Sequence, residues 1–565
     1  MRSTRHAWTR ALFALGALLS GAGLGIVAVG GSAGATVSAS ATPVNIADEY
    51  GETWPCHFNP YNSTDATFSF GYVYEELAFV DALKPSSVTP WLATKWTWAD
   101  TNKMLTFTVR KGVSWSSGQP FSAADVVYSF NLIKKHPALD GNADWSVLSS
   151  VSQKGTDQVV FQFKQRSVPY FYQIATKTPI VPQYVWSKVK NPTTYLDTHP
   201  IGTGPYTIGA CSGNDIQYTA NPHYWQSGLP KIKTVNFPAY LSNTPANEDL
   251  ASGKDQWGAQ YIPGIKQTYL DKNPKYFHVW NPPVATVSVF INLKNKVLSN
   301  VAVRRAMSYA INKKKVALIG EGGEQLPANQ TGIPLPTFKT WYDSKLAKKF
   351  GNAYSYNPAK ALALLKAAGF KKGPTGVMHK GKQKLAFIMV NNGTYSDWVA
   401  SANVVISNLK AVGIQVTARN YENTTYLAHV QNGHYDLAYE ALTGGPGPYF
   451  EFQELLYSPN SAPIGKAASS DYERYSNPAT DALFHQYTAT TSSAMQHKIV
   501  DKLEKVMLDT VPTIPVTEQP DWYQYDTQCI GGWPTPHNPY AQPSQYVIPD
   551  SAVVLLHLYP KGGCK

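Results

Sequence analysis

The stretch Trp91–Phe130, WLATKWTWADTNKMLTFTVRKGVSWSSGQPFSAADVVYSF, predicts three structural elements in a fixed order. Apolar and polar residues alternate from Leu105 to Val109, which is typical of a strand with one buried face. A basic turn at residues 110–112 follows this strand. Ser122 and Asp125 then form the S-x-x-D pattern of a capping box at the start of a helix. Such a segment packs and positions its neighbours, and it carries no chemistry of its own.

The amino-acid sequence of this segment resembles the signature of the bacterial extracellular solute-binding proteins of family 5. These proteins are the peptide- and oligosaccharide-capturing subunits of ABC importers. The family pattern runs roughly RKGVKFHDGTPFTAEDVVYSF, and this chain has RKGVSWSSGQPFSAADVVYSF. Other similar segments place the resemblance over about residues 45–560. They are NPYN at 59–62, YEEL at 74–77 on a predicted helix near Tyr72–Phe79, IGTGPYTI at 201–208, NPHYW at 221–225 and VRRAMSYAINK at 303–313.

The resemblance implies an α/β fold with two lobes, like that of the periplasmic binding proteins of type II in the large class with an extra subdomain. Mixed sheets flanked by helices would enclose a cleft that closes about a hinge. A chain of 565 residues is too long for one hydrophobic core, which agrees with this division. The expected parts are lobe I at 43–85, 200–280 and 515–565, a subdomain inserted in it at 86–199, and lobe II at 281–514.

Two later helices are predicted from the residues themselves. Apolar residues at 303, 306, 307, 310 and 311 follow the spacing of a helix with one buried face. In YNPAKALALLKAAGF, Asn357 suits the N-cap, Pro358 the first helical position and Gly369 the position after the end.

The N-terminus reads as an export signal, with Arg2, Arg5 and Arg10 before an apolar stretch at 11–29. Small-residue sites place the end of the signal peptide at 35, or as late as 41. About 19 apolar residues could also just span a bilayer, so an uncleaved anchor stays open. The predicted location is extracytoplasmic, in the periplasmic space or on the outer face of the cell membrane. The sequence LLSGAGLG in this region lacks the lipobox cysteine that many family members carry there.

The four cysteines of an exported chain predict up to two disulfides, and the sequence leaves all three pairings open. They are Cys56, Cys211, Cys529 and Cys564. The formal charge of +12 is spread along the chain without a dense basic run. This pattern indicates a solvated surface, and no nucleic-acid partner is expected.

The resemblance implies a solute cleft, and several aromatic residues in Gly-, Pro- and Asn-rich loops resemble those of the subgroup that binds cellobiose-like β-linked oligosaccharides. Flat aromatic faces pack on the C–H faces of pyranose rings with little loss of side-chain entropy, while amides pair with hydroxyls. Any single Trp is more commonly a core residue. The predicted ligand-binding residues are Trp54, Asn59, Tyr61, Trp257, Trp398, Tyr449, Trp522 and Trp533.

A short peptide is the alternative ligand. Peptide-binding relatives usually hold the ligand's ammonium with an aspartate after a YD strand. This chain has no Asp after Asp436 in YDLAYEALTGGPGPYFEF, although Glu440 or Glu451 could substitute.

A secreted glycoside hydrolase is the alternative from another class of protein. A hydrolase would need two carboxylates at a defined separation. The pairs Glu75/Glu76 and Glu451/Glu454 are the candidates, and solvent exposure explains them equally well. A structural cell-surface protein without a small ligand is a third class. No cofactor or metal is expected, because His57, His429, His434 and His537 fit no metal-ligand pattern; nickel binding, as in a family relative, stays open as a minor alternative. The expected partners are an ABC permease and its cytoplasmic ATPases, with the chain itself a monomer that is not an enzyme.

Overall fold

In the computed structural model, the described residues are 42–47, 53–62, 65, 68–84 and 87–562, all within one compact unit. The predicted signal peptide and Cys564 lie outside these residues. None of the helices in the described ranges is long and apolar enough to cross a membrane.

The signature segment folds as predicted and belongs to a four-stranded antiparallel sheet. Its strand runs over Met104–Val109, and the helix Ala123–Lys135 begins with a capping box in which Ser122 N donates to Asp125 Oδ2 at 2.9 Å. Asp125 also accepts the backbone N–H of Gln183 at 3.0 Å. Asp125 therefore connects the start of this helix to the start of the short helix Gln183–Trp186. In spatial order, the strands are Ala93–Ala99, Met104–Val109, Gln158–Phe163 and Leu148–Lys154.

A seven-stranded mixed sheet organises the first lobe. Its strand Val44–Ala47 pairs in parallel with two neighbours, and the remaining pairs are antiparallel. In spatial order, the strands are Phe277–Val279, Gln524–Asp526, Trp257–Gly258, Val44–Ala47, Thr234–Pro238, Asp215–Ala220 and Tyr206–Ser212.

A five-stranded mixed sheet organises the second lobe. Its strand Pro283–Ile291 is buried along nearly its whole length, as expected for an apolar run covered by helices on both faces. In spatial order, the strands are Gln415–Tyr421, Ala386–Asn392, Leu437–Ala441, Pro283–Ile291 and Thr513–Pro520. The first three run parallel to one another.

The longer helices, apart from that of the signature segment, are mostly associated with the second lobe. They are Asn243–Ser252, Val301–Ala310, Pro358–Ala367, Ser396–Ala411, Asn423–Asn432, Pro448–Leu456, Pro478–Thr488, Ser493–Thr510 and Asp550–His557. Both helices predicted from spacing are present, and Asn357 caps its helix by accepting Lys360 N at 2.9 Å. Small sheets are formed by Ala78–Val80 with Val88–Pro90, Ile530–Gly531 with Tyr559–Pro560, and Lys371–Lys372 with Met378–Lys380 and Gln383–Lys384.

The chain passes between the two larger sheets at residues 280–282 and 521–523. The two crossing segments lie side by side, since Asp521 N donates to Pro282 O at 2.8 Å and Trp280 N to Tyr523 O at 3.1 Å. Tyr523 N also donates to the side chain of Asn281 at 2.9 Å. Within the described residues, the chain passes between the two larger sheets at these two adjacent segments.

The predicted helix near Tyr72–Phe79 is wrong. A short helix ends at Tyr72 and a strand begins at Ala78, because the backbone between them pairs with other segments: Glu75 O accepts Ile180 N, and Glu76 O accepts Leu92 N. The side chains of Glu75 and Glu76 are buried, so solvent exposure does not explain this acidic pair.

Glu75 joins three of the segments that resemble the family. Its carboxylate accepts hydrogen bonds from Trp91 Nε1 at 2.7 Å, Tyr224 Oη at 3.0 Å and Trp225 Nε1 at 3.0 Å. The Arg110 guanidinium lies 4.3 Å from the Trp225 ring centroid. Burial raises the pKa of Glu75 to about 7, although the indole and hydroxyl donors oppose this shift. The signature segment thus packs against a buried carboxyl group and donates a hydrogen bond to it.

One disulfide is fully described and resolves the open pairing. Cys56 bonds to Cys211 with a Cα–Cα distance of 5.8 Å, linking the segment 53–62 to the edge strand of the seven-stranded sheet. Cys529 is also disulfide-bonded.

Candidate solute cleft

Two cavities of about 530 Å³ each lie between elements of the two lobes. The Tyr449 cavity is bounded by residues 141–143, 169, 170 and 173 on one side and by 440–444, 449, 450, 453, 454 and 469–472 on the other. The Trp398 cavity has residues 259–261 on one side and 392–398 on the other. Both linings contain Leu427, Glu440 and Ala441, so the two cavities meet there.

The Trp398 cavity lies at the carboxyl ends of the three parallel strands of the five-stranded sheet. Asn392 ends one strand, Asn423 follows the second and Ala441 ends the third, and all three residues line the cavity. Ligands of open α/β sheets bind in this position, because the loops after parallel strands meet at one edge.

Three of the predicted ligand-binding residues line these cavities. Trp398 lies in the first turn of the helix Ser396–Ala411, and Trp522 lies on a crossing segment with its ring 6.0 Å from that of Tyr261. Tyr449 lines the other cavity from the first turn of the helix Pro448–Leu456, and its ring stacks on that of Tyr487 with centroids 4.2 Å apart. All three rings are at least nine-tenths buried, so each has a packed side as well as a cavity side.

Trp257 and Trp533 lie in the core of the seven-stranded sheet, with ring centroids 5.6 Å apart. Trp257 is fully buried and donates Nε1–H to Pro543 O at 2.9 Å, while Trp533 donates to Asp526 O at 2.9 Å. Neither residue lines either cavity. The indole N–H of each is satisfied by the protein itself.

Trp54 and Asn59 also pack into the first lobe. Trp54 donates Nε1–H to Phe237 O at 2.8 Å, and the Asn59 amide donates to the carbonyls of Pro192 and Tyr195 at 3.0 and 2.8 Å. Tyr61 lines a smaller cavity of about 270 Å³ that shares residues 141 and 142 with the Tyr449 cavity.

Several cavity residues were missed by the sequence reasoning. They are mainly tyrosines and amides whose loops carry no special pattern: Tyr170, Gln173, Tyr261, Asn392, Tyr395, Asn423, Tyr426, Gln453, Tyr472 and Gln519. Their abundance agrees with a chain whose polarity comes from hydrogen-bonding side chains more than from charge.

Glu440 lies at the junction of the two cavities, in the strand Leu437–Ala441. One of its carboxyl oxygens lies 2.9 Å from Tyr426 Oη, whose single proton is shared with Tyr439 O at 2.5 Å, and the other accepts the N–H of Ala441 at 2.9 Å. Burial raises the pKa of Glu440 to about 7, against the lowering effect of these two hydrogen bonds. Glu451, the other predicted substitute, is buried and bonded by Thr286 Oγ1 at 2.6 Å, and it lines neither cavity.

Within the described ranges, no cluster of three His, Cys, Asp or Glu side chains has an arrangement that would hold a metal ion. The ring centroids of His429 and His434 are 6.3 Å apart, and His429 stacks on Tyr421.

The architecture is that of a two-lobed binding protein: two mixed sheets, two adjacent crossings and a cleft at the ends of parallel strands. Comparison with known proteins agrees. Residues 87–463 match the family model described as bacterial extracellular solute-binding proteins, family 5 Middle.

The chain is 27% identical over 439 residues to the nickel-binding periplasmic protein of Escherichia coli (strain K12), covering 74% of this chain and 79% of that protein. A periplasmic oligopeptide-binding protein from Thermotoga maritima matches with a TM-score of 0.85 and 25% identity, over 93% of this chain and 100% of that one. Its mannohexaose-bound crystal structure matches with a TM-score of 0.80 and 25% identity, over 93% and 99%.

The chain therefore belongs to family 5 of the bacterial extracellular solute-binding proteins. Members of this family are non-catalytic receptors outside the cytoplasm that bind small solutes for an ABC importer. This membership excludes the glycoside hydrolase alternative.

Proposed function

We propose that this receptor captures a short β-linked oligosaccharide and delivers it to the permease of its importer. The observation that carries the proposal is the lining of the Trp398 cavity, where Trp398 and Trp522 accompany Tyr261, Tyr395 and several amide side chains. Aromatic rings suit the faces of pyranose rings, and amides suit their hydroxyls. The 25%-identical Thermotoga protein with bound mannohexaose supports a sugar ligand.

In this proposal the binding residues are Trp398, Tyr449 and Trp522, with Tyr61 at the end of the smaller cavity. Trp54, Asn59, Trp257 and Trp533 are left out, because their polar groups are bonded within the first lobe. Segments 280–282 and 521–523 serve as the hinge between lobe I and lobe II. Closure of the two lobes over the sugar stabilises the form that the permease and its ATPases recognise.

A peptide is the second candidate ligand, and Glu440 is the observation that favours it. A half-buried carboxyl group at the junction of the cavities could hold the ammonium group of a peptide.

Isothermal titration of the purified protein would test the proposal. Cello-, xylo-, manno- and chito-oligomers would be compared with a mixture of di- to pentapeptides. We expect saturable heat with at least one β-linked series and none with peptides. Heat with peptides alone would reject the sugar ligand, and absence of heat with either would reject both candidates.

A further inference from the structure

The lining of the cleft differs in charge from the rest of the molecule. The chain has 49 Lys and Arg against 37 Asp and Glu. Among the described residues, however, the linings of the two cavities contain no Lys, Arg or His. They contain four carboxyl side chains, namely Asp397, Glu440, Glu454 and Asp471. Because neither lining has a basic side chain in the described part of the chain, an anionic solute would find no counter-charge there, which disfavours such solutes.

Some of these carboxyl groups already accept backbone N–H groups at both oxygens, whereas others can accept a further hydrogen bond from a ligand. Glu454 is occupied, since it accepts the N–H groups of Thr443 and Gly444 at 3.0 and 2.9 Å. Each oxygen of Glu440 accepts one hydrogen bond and can accept another.

Asp471 differs from Glu440, because its side chain is fully buried. It is 1% exposed, and its Oδ2 accepts no hydrogen bond from the described residues, although Oδ1 accepts Tyr475 N at 2.8 Å. Burial raises the pKa of Asp471 to about 9, so this carboxyl group is neutral at neutral pH and does not attract a cation.

We propose that the solute carries a protonated amine, that Glu440 binds this ammonium group where the two cavities meet, and that the ligand is an oligosaccharide of β-linked amino sugars. The proposal rests on the proposed function and narrows its substrate class. An ammonium group has three N–H donors for carboxyl oxygens, and Glu440 lines both cavities.

An amino sugar fits this lining better than a peptide does. A free peptide brings a carboxylate together with its ammonium group, and neither cavity offers a basic side chain among the described residues. Burying that carboxylate without a counter-charge would be unfavourable. An amino-sugar oligomer brings only the positive charge, together with the pyranose faces that the aromatic residues suit.

Three β-1,4-linked tetrasaccharides of equal length, differing only at C2, provide the test. They carry a hydroxyl, an acetamido or an amino group. In titrations of the wild-type protein at neutral pH, we expect the amino tetramer to bind about tenfold tighter than the hydroxyl tetramer. In the Glu440→Gln variant, the amino tetramer should bind no tighter than the hydroxyl one. The matched control is Glu248→Gln, because Glu248 is exposed and lines neither cavity.

The outcomes separate this inference from the proposed function. Equal binding of the three tetramers, or an amine preference that survives Glu440→Gln, would overturn the inference and leave an oligosaccharide receptor. Binding of peptides alone would overturn both. The comparison of ligands on the wild-type protein needs no variant, so poor folding of Glu440→Gln would not weaken the test.

Discussion

The same residue type has two different environments in this chain. Trp398 packs its ring among tyrosines, with the centroid of Tyr439 5.7 Å away, and still lines a cavity. Trp257 has no exposed surface and bonds to Pro543. Both residues lie in loops or at element ends rich in small and polar residues, so the sequence could not separate them. The difference depends on which strand ends the fold brings together.

A matched pair of substitutions would separate binding from packing. We expect Trp398→Phe to weaken oligosaccharide binding by about three- to tenfold, because a smaller ring leaves less contact area on the ligand. Trp257→Phe should instead leave binding unchanged and lower the free energy of unfolding by about 2 kcal/mol, since it loses buried area and a hydrogen bond. Titration and denaturant unfolding of both variants would measure this. Equal effects of the two changes on affinity would contradict the assignment.

Buried Glu75 predicts a pH-dependent stability. Its folded-state pKa of about 7 is above the ordinary value of 4.5, so the folded chain binds this proton more tightly than the unfolded chain. The stability from protonated Glu75 is present in full below pH 4.5 and is lost as the pH rises through about 7.

The variant Glu75→Gln cannot ionise, so its stability relative to wild type should improve by up to about 3 kcal/mol between pH 4.5 and about pH 8. Other buried carboxyl groups with a raised pKa, such as Asp144 and Glu473, also lower the stability of the folded chain as they ionise over this range. The difference between variant and wild type isolates Glu75. Urea unfolding at several pH values would measure it, with exposed Glu248→Gln as the control. A constant difference across the pH range would refute the ionisation argument.

At the scale of the element, the capping box of the helix Ala123–Lys135 is the most local feature that the sequence predicted. We expect Ser122→Ala to lower the free energy of unfolding by about 1 kcal/mol, because the first helical N–H groups lose an acceptor. Ser122→Thr retains the hydroxyl and should cost less. Thermal unfolding of both variants would check the order, and an Ala variant as stable as wild type would show that the cap is dispensable.

Elements with strong local signals were predictable, and those determined by distant contacts were not. The signature strand, its capped helix and the helix capped by Asn357 depend on neighbouring residues, and all three are present. The segment around Glu75 was misassigned because its backbone pairs with residues more than ten positions away and its carboxyl group binds three distant side chains.

At the scale of the whole molecule, the site depends on topology. Strands 386–392, 415–421 and 437–441 are widely separated in sequence, yet their carboxyl ends form one edge of the Trp398 cavity. No spacing in the sequence indicates that Glu440 lies where the two cavities meet. Residue type and loop composition alone therefore placed three of the eight predicted residues on the two cavities and left the surrounding tyrosines unidentified.

Contacts across the cleft predict how closure contributes to affinity. Tyr172, beside the four-stranded sheet, packs its ring against that of Phe450 in the second lobe, with centroids 5.5 Å apart. Tyr172 lines neither cavity, so its removal tests closure without deleting a ligand contact. We expect Tyr172→Ala to weaken binding by about three- to tenfold, mainly through faster dissociation, since the closed form loses an aromatic contact.

Stopped-flow kinetics and small-angle scattering would measure the effect of Tyr172→Ala. The ligand-free variant should have a larger radius of gyration than the wild type, and saturating ligand should reduce that difference, because ligand binding favours the closed arrangement. Tyr356→Ala removes a half-exposed ring outside both cavities and is the control for loss of a tyrosine. Unchanged dissociation together with an unchanged radius in Tyr172→Ala would mean that the Tyr172–Phe450 contact does not contribute to closure.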